Sequence, residues 1–499
     1  MEQNPAWYRK TPLMGWASWN CFKTDISEQK LKAQADALVA TGLADCGYTY
    51  LNMDDGFFGG RDASGALQFH KERFPNGIKC VADYAHSLGL KAGVYSDAGD
   101  NTCGSYYNGD GANGTGVGLY GHEEADLRLY LEDFGFDFIK VDWCGGVRLG
   151  LDEREQYGKI GAIIDRIRAR TGRCIVYNIC RWQFPGSWAP LVADSWRTGA
   201  DIAPEFSSVL HQLDVIKPLA RYCSPGHVND LDMLQIGNGM PPEDERTHFA
   251  MWCMMSTPLM IGGDLTLISA ETLALLKNRE LIALDQDSAC QQAYVIHEET
   301  AADGTLAAEI WLKPLGDSLL ADASGVEKAV AFLNRSDAPR TMTLDLRDAG
   351  FTGAILRVRD VCAQRDEAPA ASLTVTLRAH QTAVYRIRAT AARAVPNKDD
   401  RGEWQEPPLA TVTREEAERL AASGEAQLVD VRSREEYDAA HLDGALNIYY
   451  ADIHSIAGWH LTKAKPVIVY CGSGKRSIVA AKSLAYLGYT VRCLGGVAL

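Results

Sequence analysis

The chain has 499 residues, 46% of them hydrophobic and 23% charged, with a net charge of −15. That length is too great for one hydrophobic core and implies about three domains. The acidic surface repels nucleic-acid phosphates and anionic lipid, which excludes nucleic acid and membrane as expected partners and leaves a small neutral substrate. No basic start leads into an apolar run and no stretch is long enough to span a bilayer, so a cytoplasmic location is the default expectation. The 13 cysteines contain no CxxC pair, which argues against a structural metal, and in a reducing compartment most should be free thiols. Homo-oligomerisation is left open.

Residues 1–290 alternate strand-like and helix-like segments. Eight apolar runs read as strands, at 13–19, 48–53, 90–95, 136–141, 174–179, 194–197, 222–228 and 257–261. Leu31, Ala35, Leu38, Val39 and Leu43 recur at helical spacing, with Asp25 and Glu28 placed to cap that helix. Eight βα units in this length predict a (β/α)8 TIM barrel, in preference to a doubly wound sheet. Residues 291–390 alternate apolar and polar residues in segments such as AAEIWLKPL and KAVAFLNRS, which predicts an antiparallel β-sandwich. A charged, proline-containing linker follows at 391–407. Residues 408–499 return to βα alternation and predict a small α/β domain, with Thr413 and Glu416 capping a helix that ends near Gly424.

The polar residues cluster where the barrel strands end. NMDDGF places Asp54 and Asp55 after the second strand, and VYSDAG puts Tyr95 and Asp97 at the end of the third. FIKVDWCGG ends the fourth with Lys140, Asp142 and Cys144, and SWRTGADI follows the sixth with Arg197 and Asp201. C-terminal strand ends build the active site of such barrels, so these carboxylates should converge. Glycoside hydrolysis needs two carboxyl groups, one attacking or activating water and one protonated to release the leaving group. Lys140 shares a strand face with Asp142 and should keep it ionised, as suits a nucleophile. Asp201 lies in a glycine-containing turn, where a mobile acid/base could sit. Trp16, Trp19, Trp143 and Trp182 lie beside these positions, as expected of a sugar pocket or of core packing.

At these residues the chain resembles glycoside hydrolase family 27, the α-galactosidase and α-N-acetylgalactosaminidase family. The resemblance runs from about Thr11 to Ile387 through TPLMGWASWN, YLNMDDG, AGVYSDAG, FIKVDWC, SWRTGADI, GHVNDLDML, STPLMIGGDL and ALDQD. It implies a barrel followed by an antiparallel β-domain, with Asp142 as nucleophile and Asp201 as acid/base of a retaining mechanism. The two carboxyl groups would then lie about 5–5.5 Å apart. The resemblance also implies that Asp54 and Asp55 hold the O4 and O6 hydroxyls, with Trp16 under the ring. Lys140 and Arg197 would contact ring hydroxyls, Tyr95 would line the pocket, and Cys103 and Cys144 would form a disulfide beside it. No metal or organic cofactor is required. In NICRWQF the chain departs from the family, with Arg181 where many members have glutamate. Cys180 and Trp182 remain, and their bulk suits a 2-hydroxyl better than a 2-acetamido group. A terminal α-galactoside is therefore the expected substrate, with β-L-arabinopyranosides and α-N-acetylgalactosaminides as alternatives. A carbohydrate-binding protein without catalysis is a further reading, opposed by Asp142 and Asp201.

LVDVRSREEYDAAHLDGALNI followed by VIVYCGSGKRS resembles a rhodanese domain over about 408–499. Cys471 would open a turn whose N–H groups, with Arg476, stabilise a thiolate. The resemblance implies a persulfide carried on Cys471. The alternatives are an unreactive interaction module and a chain whose main activity is sulfur transfer. The helix after LGGVAL is expected to be short or missing.

Overall fold

A computed structural model describes residues 11–316, 325–400, 402, 404 and 409–497. The chain divides into two compact units, Met1–Trp404 and Gln405–Leu499. Eight parallel strands organise the first: β1 (Met14–Ala17), β2 (Tyr50–Asn52), β3 (Lys91–Asp97), β4 (Phe138–Asp142), β5 (Val176–Ile179), β6 (Ser195–Arg197), β7 (Val228–Asp230) and β8 (Leu259–Ile261). All their residues are buried except Lys91 and Lys140, as strands enclosed on both faces must be. β1 pairs with both β2 and β8, and the order runs 8-1-2-3-4-5-6-7. An open doubly wound sheet would leave two free edges. Here the gap between β7 and β8 is bridged by Leu234, which donates to the Met260 carbonyl (2.7 Å) and accepts from Gly262 N–H (2.9 Å), closing the ring. Leu13, Ala17, Tyr50, Phe138, Val176, Met233 and Met260 pack together within the first unit.

Local chemistry differs from the sequence reading at three points. Helix α1 (Glu28–Ala40) is capped by Ser27, whose hydroxyl accepts from Lys30 N–H, while Asp25 pairs with the Lys30 ammonium (2.7 Å). Val39 is 42% exposed and Leu43 lies past the helix end, so the buried stripe is Leu31, Ala35 and Leu38. The seventh strand begins at Val228, not 222. Pro218 starts a tight helical turn over Lys217–Tyr222, and the chain then reverses at Gly226, φ +87°, before the strand can form. No helix among the described residues is long and apolar enough to cross a membrane.

The antiparallel part of the first unit has β9 (Tyr294–Thr300), β10 (Leu306–Pro314), β11 (Val326–Asn334), β12 (Arg340–Asp345), β13 (Ile355–Asp360), β14 (Arg365–Glu367), β15 (Ser372–Leu377) and β16 (Thr382–Ala389). Six strands form one sheet in the order 9-10-11-16-13-14, and β12 pairs with β15 in a second. Period-two alternation along β10 divides its side chains. Ala308, Ile310 and Leu312 join the core of this β-domain, with Val330, Phe332, Met342 and Leu344. Glu309, Trp311 and Lys313 point the other way and are fully buried. Glu309 pairs with Lys217 and Arg335, and the Lys313 ammonium donates to Met254 O, Ser256 Oγ and Gln291 O. Charge thus fixes how the β-domain seats on the segments around the barrel.

The second unit is a five-stranded parallel sheet of β17 (Ala410–Thr411), β18 (Gln427–Asp430), β19 (Leu446–Asn447), β20 (Val467–Cys471) and β21 (Val491–Gly496), in the order 17-21-20-18-19. Thr413 caps the helix Arg414–Ala422 by accepting from Glu416 N–H.

Glu309→Ala leaves Lys217 and Arg335 without their shared buried partner. We expect a loss of about 3 kcal/mol, read as a lower urea midpoint of the full chain.

Candidate active site

The second to fourth strands and the sixth deliver the polar cluster. After β2 the chain turns through Gly56, at φ +117°, where a Cβ would stand 2.4 Å from the Thr24 carbonyl; only glycine fits this approach. The turn fixes Asp54 and Asp55. Asp54 accepts from its neighbour's N–H and from the Lys140 ammonium (2.8 Å). Asp55 accepts from Gly56 N–H (2.8 Å) and Gly104 N–H (2.7 Å). Burial still pushes its carboxyl up to about 7, with the Asp54 charge adding to the rise.

Lys140 reaches both neighbouring carboxylates, lying 3.9 Å from Asp142 Oδ2. Asp142 is 4% exposed, and its Oδ1 accepts from Trp143 N–H (3.0 Å). Burial raises its carboxyl to about 6, against the opposing pull of Lys140, and the charges of Asp201 and Asp54 push the same way as burial. Lys140 also lies over the Tyr95 ring at 5.3 Å, and the Tyr95 hydroxyl accepts from Cys103 N–H.

Arg197, at the end of β6, is nearly fully buried, and its terminal nitrogens are held by several acceptors while its Nε finds none among the described residues. It bonds Asp201 Oδ1 (3.0 Å), the carbonyls of Gly199 and Ala200, and Asp232 Oδ2 (2.9 Å), with Cys180 Sγ at 3.7 Å. Asp201 is 62% exposed, at the open side of the cluster. Desolvation acts to raise its carboxyl, but Arg197 and then Lys140 outweigh it and hold the group below the usual carboxylate range. Asp232 is buried, sits at φ +78°, and accepts from Ile202 N–H (2.9 Å), tying the turn after β6 to the turn after β7. A small cavity of about 50 Å3 runs between Asp54, Lys140, Asn178, Arg197, Asp230 and Asp232.

Trp16 is fully buried, its indole N–H donating to the Gly263 carbonyl (2.8 Å). Trp182 is buried at φ +56°, and Trp143 packs on Tyr157 with centroids 4.9 Å apart. Cys103 and Cys144 are joined in a disulfide, linking the turns after β3 and β4. Asp97 lies beside it, within 4.8 Å of both sulfurs. Burial and the Asp142 charge hold Asp97 well above the usual carboxylate range, while its Oδ1 accepts from Gly99 and Gly145 N–H. With both sulfurs bonded to each other, the trio offers no thiolate to a metal.

In the second unit Cys471 ends β20 and is fully buried. Its sulfur accepts from Gly474 N–H (3.1 Å) and Ser477 N–H (3.3 Å). Burial raises the thiol, but the Ser477 hydroxyl and the loop N–H groups outweigh it and hold it below its ordinary value. Arg476 does not stand free over this sulfur; both its terminal nitrogens bond Glu436 (2.6 and 2.8 Å).

Comparison with known proteins matches these parts. The family profile described as Alpha galactosidase A covers residues 11–287, the Alpha galactosidase C-terminal beta sandwich domain covers 306–387, and the Rhodanese-like domain covers 413–497. The chain is 39% identical over 341 residues to alpha-galactosidase A of Cellvibrio japonicus, spanning 66% of this chain and 77% of that one. It is also 39% identical over 383 residues to alpha-galactosidase 3 of Arabidopsis thaliana, spanning 75% and 81%. The structure of the Saccharomyces cerevisiae α-galactosidase with raffinose superposes with a TM-score of 0.67 at 26% identity, covering 76% of this chain and 98% of that one. The chain belongs to glycoside hydrolase family 27.

Arg181 stands where the family resemblance implies a glutamate. Its side chain is 6% exposed, pairs with Glu153 at the start of helix α2 (Glu153–Thr171), and lies 5.4 Å over the Trp182 ring. The arginine therefore braces the loop after β5 against α2. Sequence reasoning missed Glu153, and it gave no role to Asn178, Asp230 or Asp232. Asp230 ends β7 and accepts from Asn178 (2.8 Å), which follows the same strand-end rule as the residues it did find. Asp232 stood inside the quoted GHVNDLDML motif.

The nucleophile role that the family resemblance implies for Asp142 requires its ionised form, and the group gains a proton as pH falls through about 6. We expect kcat/KM to fall on the acid side near that pH, and Lys140→Met to move the limb to higher pH. Arg181→Glu sets two carboxylates against each other; its Tm should drop, and Glu153→Arg in the same chain should restore most of it.

Proposed function

We propose that the chain is a retaining exo-α-galactosidase acting on terminal α-linked galactose. The observation carrying this reading is the asymmetry of two carboxylates. Asp142 is buried with only a distant share of Lys140, whereas Asp201 is exposed and tied to Arg197. Asp142 attacks the anomeric carbon while Asp201 gives its proton to the departing oxygen, leaving a glycosyl ester on Asp142. Water then attacks the same carbon, Asp201 takes its proton, and galactose leaves with its configuration retained. In the empty site Arg197 keeps Asp201 ionised. A sugar that draws Arg197 toward its ring hydroxyls and excludes water removes that restraint and raises the carboxyl, as a general acid requires.

Trp16 forms the floor under the ring, and Tyr95 lines the wall. Asp54, fixed by Lys140, accepts from hydroxyls, and Asp55, whose carboxyl burial raises to about 7, can donate in its protonated form as well as accept. This pair suits O4 and O6 of galactose, whereas β-L-arabinopyranose has no C6 group. Cys180 and Trp182 close the space a 2-acetamido group would need. Raffinose, which ends in an α-linked galactose, is a natural test substrate.

We assign the catalytic barrel to 1–290, the β-sandwich to 291–390, the linker to 391–407 and the rhodanese-like domain to 408–499. In this last domain Cys471 acts as a sulfur carrier, a reading supported by its buried, N–H-stabilised sulfur.

The test is release of p-nitrophenol from α-galactoside, α-N-acetylgalactosaminide and β-L-arabinopyranoside by wild type and Asp142→Ala. We expect rapid release from the α-galactoside, lost by at least about 10⁴-fold in the variant. Preference for another glycoside overturns the sugar assignment, and undiminished activity in the variant overturns the nucleophile.

A further inference from the structure

Glu436 is the third residue of the helix α3 (Arg434–Ala439) and completes a capping box with Ser433, accepting from its N–H (3.1 Å). The same carboxylate takes both terminal nitrogens of Arg476. Three donors thus lock it in place, and Arg476 holds its carboxyl at about 2, so it is ionised at any working pH. The neighbouring Arg432 is spent in the same way, bonding both oxygens of Asp430 and the Ala440 carbonyl. The N–H groups of Gly474 and Ser477 already point at the Cys471 sulfur. Lys475, exposed on the first turn of helix α4 (Lys475–Tyr486), adds one hydrated, screened point charge. The loop can therefore stabilise one negative sulfur, but its one guanidinium is already neutralised.

We propose that Cys471 takes its sulfur from a thiol-borne persulfide in preference to thiosulfate, and that Glu436 sets this preference. The inference rests on the sulfur-carrier reading of Cys471. With a persulfide donor, the Cys471 thiolate attacks the outer sulfur of R–S–SH. The new S–S bond forms as the donor's breaks, and R–S⁻ leaves with the electron pair, giving Cys471–S–SH. With thiosulfate, the same attack expels sulfite. That donor is a dianion meeting a thiolate, and its sulfonate oxygens need a bidentate cation that Glu436 has occupied. At its reacting end a persulfide brings at most one charge and no oxygens, and the rest of the donor stays outside the loop.

The test loads the full chain with glutathione persulfide or inorganic thiosulfate and follows the sulfur added to Cys471 by mass spectrometry. Wild type should load faster from the persulfide. Glu436→Gln keeps an oxygen for the Ser433 cap but frees Arg476. It should raise the thiosulfate rate about tenfold and change the persulfide rate less than about threefold. Asp438→Asn, which removes a carboxylate paired with Arg434 on the same helix, should change neither rate. Thiosulfate as the better wild-type donor, or a folded Glu436→Gln without that gain, overturns the inference; the wild-type comparison stands without any variant. Failure of both donors to add sulfur overturns the sulfur-carrier reading itself.

Discussion

Too few cations for the carboxyl groups they must serve is the constraint on which the barrel site depends. Asp54, Asp55, Asp97, Asp142, Asp201 and Asp232 crowd one region, with Lys140 and Arg197 as the cations among them. A buried charge without a partner is costly, so the groups sort themselves. Asp55 and Asp97 are pushed toward their neutral forms. Asp54 takes the direct bond to Lys140, and Asp201 and Asp232 divide Arg197. Asp142 is left with a contact at 3.9 Å and one backbone N–H. This weakly compensated carboxylate is the one proposed above as the nucleophile.

Such a distribution survives only if the side chains cannot move to better partners. The barrel strands hold them from below. Gly56 pins the Asp54–Asp55 turn against Thr24, and the disulfide ties the turns after β3 and β4. Arg181 with Glu153 braces the loop carrying Cys180 and Trp182. Farther out, Glu309 and Lys313 place compensated charges where the β-domain meets the rest of its unit. Each is costly to leave unpaired, which favours a single seating.

The second unit solves a smaller version of the problem. The buried Asp430 is paired with Arg432, whereas the buried Cys471 sulfur is held by backbone N–H groups at a helix start, and the nearby Arg476 guanidinium is balanced by Glu436. Backbone dipoles support a single charge without adding an exchangeable counter-ion, so the loop is selective about how much further negative charge it admits.

By itself the sequence determined the eight parallel strands, the β-domain pattern and the strand-end aspartates, although the fifth strand is followed only by a short helical turn at Ala189–Leu191. Period-two and helical patterns, and the rule that barrel chemistry sits at strand C-termini, are local and readable. It also placed Cys471 at a strand-to-helix turn. Only the tertiary structure decided which carboxyl holds which cation. Arg197 reaches Asp232 across 35 positions, Glu153 finds Arg181 across 28, and Arg476 meets Glu436 across 40. Smaller local choices went the same way, with Ser27 taking the cap from Asp25 and Pro218 delaying the seventh strand. The reason is physical. Patterning follows from each residue's own affinity for water, whereas ionisation depends on distance and burial, and these exist only once the chain has closed on itself.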